Sequence, residues 1–337
     1  MARMRILTLI LLAAPRILEA QIITFDVPGA GTGAGQGTRP FVVLANKGII
    51  GSYIDALGAN HGFVRLPDGA TKTFDPPGSQ NTFPSGGTID HAITGQYFDA
   101  NGVRHGFLRV PKGGVVEFEA PGSGTSNDQG TDVLAINAKG ITTGDFVDAN
   151  NLSHGFARSA NGTFITFDPA LSQYTYPIGL TDSGLIAGYY VDTTYTAHGF
   201  LRLLDGTVST FDVPGRRFDR VSGINQGGTA IGAWDDSTSF VHGFLRAQDG
   251  TITEFDDPKA TYGTLPTSIN LQGFITGIYY DSSFGIHGFV RSPEGTFTEF
   301  DAPGAAYGTL PESINDASAI TGFFVDTNFV YHGFVRK

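Results

Sequence analysis

Seven copies of one pattern constrain this 337-residue chain more than anything else in it. Each copy reads Gly, any residue, an aromatic, any residue, Asp, five residues, then His-Gly-Phe-x-Arg. The copies begin at Gly51, Gly95, Gly144, Gly188, Gly232, Gly277 and Gly322, and every fixed position is filled in all seven. A Phe follows nine residues after each of the first six Arg, and an acid comes next, as in Phe74-Asp75 and Phe118-Glu119. A seventh such pair, Phe25-Asp26, stands alone near the N-terminus. Self-similarity at this period marks a single array of supersecondary units, overriding the two domains that length alone suggests.

The sixth copy shows what one unit contains. Leu265 to Ile269, the alternating run Phe274 to Asp281, His287 to Arg291 and Thr296 to Asp301 read as four strands. Between them lie Asn270 to Gly273 and Pro293 to Gly295, which carry the residues that tight turns require. Four short antiparallel strands every 44–49 residues predict an all-β chain folded as a β-propeller. The ends set its number of blades. The chain opens with a lone fourth strand, Ile22 to Asp26, and finishes with a lone third strand, His332 to Arg336. Seven four-stranded blades are therefore expected, the ring closed by the N-terminal strand completing the last blade, which hides edges that would otherwise template aggregation.

Residues 1–20 read as a signal peptide, with Arg3 and Arg5 ahead of the apolar run Ile6 to Ala14, and 21–337 as one propeller domain. That run is too short to span a bilayer. Removing residues 1–20 takes away three Arg and one Glu and moves the formal charge from −11 to −13. Such an acidic surface argues against nucleic acid or anionic lipid as partner. The chain holds no cysteine, so packing and closure must supply stability in an oxidising compartment. The expected location is extracellular or periplasmic, and the expected state a monomer with no membrane insertion after cleavage.

With the repeat laid out, the chain resembles the HAF-type probable extracellular repeats of bacteria. Ile136-Asn137, Ile224-Asn225, Ile269-Asn270 and Ile314-Asn315 carry the likeness, with the Gly-centred second strand and the His-x-Phe core. The chain departs from that pattern in using His-Gly-Phe throughout, and Arg where those repeats often have an aromatic. The resemblance spans residues 21–337 and implies an exported repeat protein, but no reaction.

Sevenfold recurrence assigns the repeated residues to the frame. The motif Asp and His are expected to lock loop ends, the aromatic (Trp234 included) to be core, the Gly to permit close approach, and the Arg to be a surface or inter-blade ion-pair residue. Function is sought where copies differ. From motif Asp to the following Phe the count is always 19, whereas the span from the next acid to the strand-two Gly runs from 20 to 25. The variable connections and the Asp-to-His loops should share one rim, the usual place for function on a rigid scaffold. There, Tyr195, Phe240, Phe284 and Phe329 lie in the short loops, and Tyr174, Phe218, Tyr262 and Tyr307 stand six residues after their acids. Rings at loop tips suit stacking on sugars. A glycan or cell-envelope polymer is the expected ligand, with a structural or adhesive surface role also open.

For an enzyme, the candidates are His91, Asp128, Asp132, Asp235 and Arg217, assembled into a polysaccharide lyase or hydrolase. Arg217 belongs to the basic spot Arg216, Arg217, Asp219, Arg220, a candidate for carboxylate capture. Asp128 and Asp132 are the candidate Ca²⁺ ligands, no other cofactor being expected. Their loop, Gly122 to Thr131, shares Gly-x-Gly-Thr-x-x-x-Gln-Gly-Thr with Gly29 to Thr38, and both read as flexible linkers. Serine-hydrolase, zinc and dinucleotide motifs are absent, so the sequence leans away from catalysis.

Overall fold

The computed structural model describes residues 20–111 and 113–337, without the side chains of Phe218 and Asp219. The expected signal peptide lies outside the described residues, apart from Ala20. Among them are 28 strands and no helix. The sixth unit comprises Gly263–Ile269, Ile275–Tyr280, Ile286–Arg291 and Phe297–Phe300, each antiparallel to the next. Units one to five repeat this order. The seventh pairs Gly308–Ile314, Ile320–Val325 and Tyr331–Arg336, and its fourth strand is Ile22–Phe25, with Ile22 opposite Arg336 and Phe25 opposite Gly333. Parallel bridges of one residue pair link some units, giving sheets of 8, 12 and 8 strands.

The repeat folds this way because its fixed residues interlock. The seven motif phenylalanines, Phe63, Phe107, Phe156, Phe200, Phe244, Phe289 and Phe334, are wholly buried. The strand-two glycine makes room for them: a Cβ on Gly277 would sit 2.8 Å from the Phe289 ring and would collide with the Leu265 carbonyl. The motif glycine before each Phe is pressed likewise, Gly288 against Phe300 and Gly333 against Phe25. Core clusters span consecutive units, as where Leu44, Ile50 and Val64 meet Ile93, Tyr97 and Phe107. Trp234 is buried in such a cluster, as its slot in the repeat predicts.

Two fasteners join every unit to its neighbour, and a third, at the Ile-Asn turns, joins units three, five, six and seven to the next. Among the described residues the motif Arg forms no inter-blade ion pair, and it is not left on the surface. Its guanidinium lies over the strand-four Phe of the preceding unit, Arg109 at 5.1 Å from Phe74 and Arg158 at 4.3 Å from Phe118, and so through all seven. A guanidinium is weakly hydrated and stacks on an aromatic face at lower desolvation cost than an ion pair would exact there. The series runs from one end of the chain to the other, because Arg65 of unit one lies 4.7 Å over Phe25. At the turns joining strands one and two, the Ile-Asn asparagines donate to main-chain carbonyls of the next unit. Asn225 reaches Asn270, Asn270 reaches Asn315, and Asn315 reaches Leu44 at 2.9 Å. The first strands touch one another in cyclic order, that of unit seven meeting that of unit one.

A candidate binding face at the loop end

The motif Asp and His sit in a clasp at the opposite end of the strands. In unit one, Asp55 Oδ1 accepts from the main-chain N–H of Leu57 and Ala59, which fixes the five-residue loop. His61 lies between two carboxylates, its Nε2 3.4 Å from Asp55 and its Nδ1 2.8 Å from Asp75. Asp75 in turn accepts from Thr82 of unit two at 2.7 Å. Every unit has the His bridged in this way, and in unit seven the second acid is Asp26, 3.0 Å from His332. The aromatic two residues after the Gly stacks on the same ring, from Tyr53 on His61 to Trp234 on His242 at 4.0 Å. The acid after each strand-four Phe, left without a role by the sequence, is thus the partner of the motif His.

The clasps are electrostatically tuned. Main-chain donors from Thr196 hold Asp192 down at about 2, and the Thr238 hydroxyl does the same for Asp236. Burial works against protonation of His61 and His287, but bonds to Asp75 and Asp301 outweigh it and raise both above the ordinary histidine value.

Each clasp holds a loop whose third residue after the Asp is left-handed. Units one to three place Gly58, Gly102 and Asn151 there, and unit five Ser239. Units four, six and seven place Tyr195, Phe284 and Phe329, with φ of 61°, 62° and 61°. All three rings are exposed, Tyr195 to 74 %. Phe284 stacks on Tyr262 at 4.0 Å and Phe329 on Tyr307 at 4.2 Å, joining the short loop to the variable connection beside it. The two loop classes therefore share a rim, as the spacing predicts. Phe240 comes one residue later in its loop, is half-buried and packs on His242. Tyr174 is half-buried, and the Phe218 side chain lies outside the described residues.

Below the rim, one cross-strand pair per unit varies inside the fixed frame. From unit one to unit seven the pairs are Arg39/Ser52, Phe83/Gln96, Asp132/Asp145, Tyr176/Tyr189, Arg220/Ala233, Leu265/Ile278 and Leu310/Phe323. The face runs from polar to apolar around the units. Asp145 is buried and accepts from Ser153 at 2.9 Å, while an oxygen of half-buried Asp132 is enclosed without a partner. Desolvation raises Asp132 to about 6 against the pull of Arg104 and Gln96, and raises Asp145 too, with Asp132 adding to the push. Burial takes Tyr176 beside them up to about 12.

The structure divides the sequence's catalytic candidates. Asp128, Asp132, Asp235 and Arg217 belong to the loop end. His91 lies in the turn between strands one and two of unit two, at the other end of the sheet, exposed and left-handed with φ 67°. Antiparallel pairing keeps these apart, so no site combines His91 with those acids. Asp128 is exposed and bonded by Asn127, whereas Asp132 turns towards Gln96 and Arg104. Among the described residues no group of three His, Cys, Asp or Glu is arranged to hold a metal ion.

The Gly-rich loops are not linkers. Gln36 accepts from Gly33 and donates to Ala56, and Gln129 accepts from Ser126 and donates to Asn151, pinning each loop to the Asp-to-His loop of the unit that it leads into. Sequence reasoning passed over Gln96, Arg104, Asp145, Ser153, Tyr176 and Tyr189. Aligning the copies would have found several of them, since the residue between the motif Gly and its aromatic is free to vary in an otherwise fixed strand.

No family model and no curated protein matches this chain. Solved structures do, and they define its class: the fold is that of a β-propeller. A streptogramin B lyase matches 94 % of this chain and 98 % of its own at TM-score 0.62 and 14 % identity. An inactive virginiamycin B lyase from Staphylococcus aureus with quinupristin matches 95 % and 100 % at 0.58 and 13 %. A puromycin hydrolase matches 86 % of this chain and 50 % of its own at 0.61 and 12 %.

Proposed function

We propose that residues 21–337 are a secreted, seven-bladed β-propeller of HAF-repeat type, closed by Ile22–Phe25, that binds a glycan or cell-envelope polymer across its Asp–His loop end. Closure is supported by the Asp26–His332 clasp, the Arg65–Phe25 contact and the Asn315–Leu44 bond, which repeat across the chain ends the bonds found between other units. The binding reading rests above all on the three exposed rings in left-handed loop positions. A non-glycine residue there costs about 1–2 kcal/mol. Units one and two use glycine at that slot, so the frame does not ask for an aromatic. Backbone strain retained at an exposed position is a mark of function. Flat rings facing solvent suit the apolar faces of sugars, and several weak stacks along one rim add avidity for a polymer.

Replacing Tyr195, Phe284 and Phe329 together by Ser should lower retention on insoluble chitin, cellulose or peptidoglycan at least roughly tenfold, with the protein still folded and its melting temperature lowered only by the loss of two ring stacks. Undiminished retention would remove the reading's main support.

A lyase or hydrolase acting on such a polymer is the second reading, and one observation favours it. Asp132 and Asp145 form a cross-strand carboxyl pair held largely out of water, so that one of them stays protonated at mildly acidic pH, the condition for dividing acid and base roles between two carboxyls. Polymer cleavage that vanishes in both Asp132→Asn and Asp145→Asn, with binding retained, would establish it.

A further inference from the structure

We propose that the cleft between units four and five is a subsite for a carboxylate-bearing sugar within an otherwise neutral glycan. The inference rests on the glycan-binding reading and adds a ligand class to it. The cleft has a volume of about 460 Å³ and is lined by Tyr176, Tyr189, Tyr195, Arg217, Arg220 and Asp235 among others. A second cleft of about 570 Å³ shares Arg217 and Asp235 and continues it along the loop end.

Local backbone irregularity builds the cleft. All seven first strands slip register once near their middle. Only those of units four and five, Ser172–Leu180 and Arg217–Ile224, slip a second time at their start, between Ser172 and Tyr174 and between Phe218 and Arg220. In a regular strand, residues three apart point to opposite faces. The extra residue cancels that parity. Arg217 stands opposite Asp235 and Arg220 opposite Ala233, two positions on one face of the facing strand, so both guanidiniums are brought to the same side. Bulges that re-aim side chains are concentrated beside functional sites.

The chemistry of the walls selects the ligand. Each guanidinium presents a planar fork that matches a carboxylate, and the cleft is lined by two of them on one side. Tyr176 and Tyr189 pack at 5.0 Å, and exposed Tyr195 stands at the edge as a ring platform. A formal charge of −11 over the whole chain repels a dense polyanion, and Asp235 inside the cleft repels a second anionic group close by. The ligand is therefore a chain in which carboxylated residues are separated by neutral ones, such as a uronate branch or a muramic acid unit.

Two probes test this by calorimetry, a glucuronosyl-xylotriose and the disaccharide of N-acetylglucosamine and N-acetylmuramic acid, each beside its carboxyl-reduced form. At least one acid form should bind ten times or more tighter than its reduced form. Arg217→Gln with Arg220→Gln should erase that preference, and Tyr195→Ser should weaken acid and reduced forms alike. Should the double variant not fold, Arg217→Lys, which keeps the charge and loses the fork, should cut the preference severalfold at an unchanged melting temperature. Equal affinity for acid and reduced forms, a preference that survives these substitutions, tighter binding of dextran sulfate than of either probe, or no binding of any probe overturns the proposal. Retention of insoluble polymer through Phe284 and Phe329 is read separately, so the broader reading survives or fails on its own result.

Discussion

The loops of units one and two and those of units four, six and seven have the same backbone and opposite side chains. Asp55 and Asp281 make the same pair of main-chain bonds, and Gly58 and Phe284 take the same left-handed turn at φ 89° and 62°. One group fills the turn with the residue that backbone favours, the other with a large ring held out into solvent. The clasp is indifferent to what stands at the tip. A strong local frame therefore lets a poor turn residue persist, and three of the seven tips use that latitude for rings.

If the halves differ only at the tips, equivalent frame positions should be equally costly to remove. Phe118→Ala in unit two and Phe25→Ala in unit seven each empty the place under a motif Gly and an Arg. Each should destabilise by about 2–4 kcal/mol in urea unfolding. A negligible cost for Phe25→Ala alone would break the equivalence, and with it the closed ring.

The pH profile is the next effect in size. His61 and His287 are raised by their carboxylates, so their stabilisation is complete below the ordinary histidine value and fades as pH climbs through the raised one. Asp55, Asp99, Asp148 and Asp281 are held low, so theirs is present above the ordinary carboxylate range and lost as pH falls through the lowered values. Asp132 at about 6 and Glu312 at about 7 are raised by burial and disfavour the folded state progressively as pH rises past the usual carboxylate range. The melting temperature should peak at mildly acidic pH and fall by a few degrees on either side. His61→Gln and His287→Gln should flatten the alkaline limb equally, and a difference between them would show that the tips reach down into the clasp.

The smallest effect bears on the tips themselves. Tyr195→Gly should stabilise by about 1 kcal/mol and Gly58→Tyr should destabilise by about as much. Phe284→Gly should come out near neutral, because it also gives up a ring stack worth about 0.5–1.5 kcal/mol. A loss of stability from Tyr195→Gly would make that ring a packing residue.

The strands were legible because the repeat states their period seven times. Unit six was read to within two residues at every strand end, and Ile22 to Asp26 and His332 to Arg336 do pair with each other. The clasp was half legible. Asp281 and His287 lie in one hairpin, but Asp301 comes into reach only when the third and fourth strands pair. The Arg contact was misread because its Phe belongs to the preceding unit, 35 residues back for Arg109 and 40 for Arg158, beyond any local pattern. The varying pairs were missed because position by position they resemble ordinary strand residues, and their meaning lies in the register that sets Asp132 against Asp145. His91 looked like chemistry only until strand direction put it at the other end of the sheet.

The pairing of Ile22–Phe25 with Tyr331–Arg336 has a consequence for engineering. Gln21 accepts a hydrogen bond from the Lys337 N–H at 2.9 Å, so residue 337 lies one bond away from residue 21. A linker of a few residues would span that gap, and a closed ring would then tolerate a new starting point among its repeats. A circular permutant opened at a connection such as Asp75 to Asn81 would present the same sheets and the same rim, with its free ends beside whichever loop one wishes to tether, label or leave untouched.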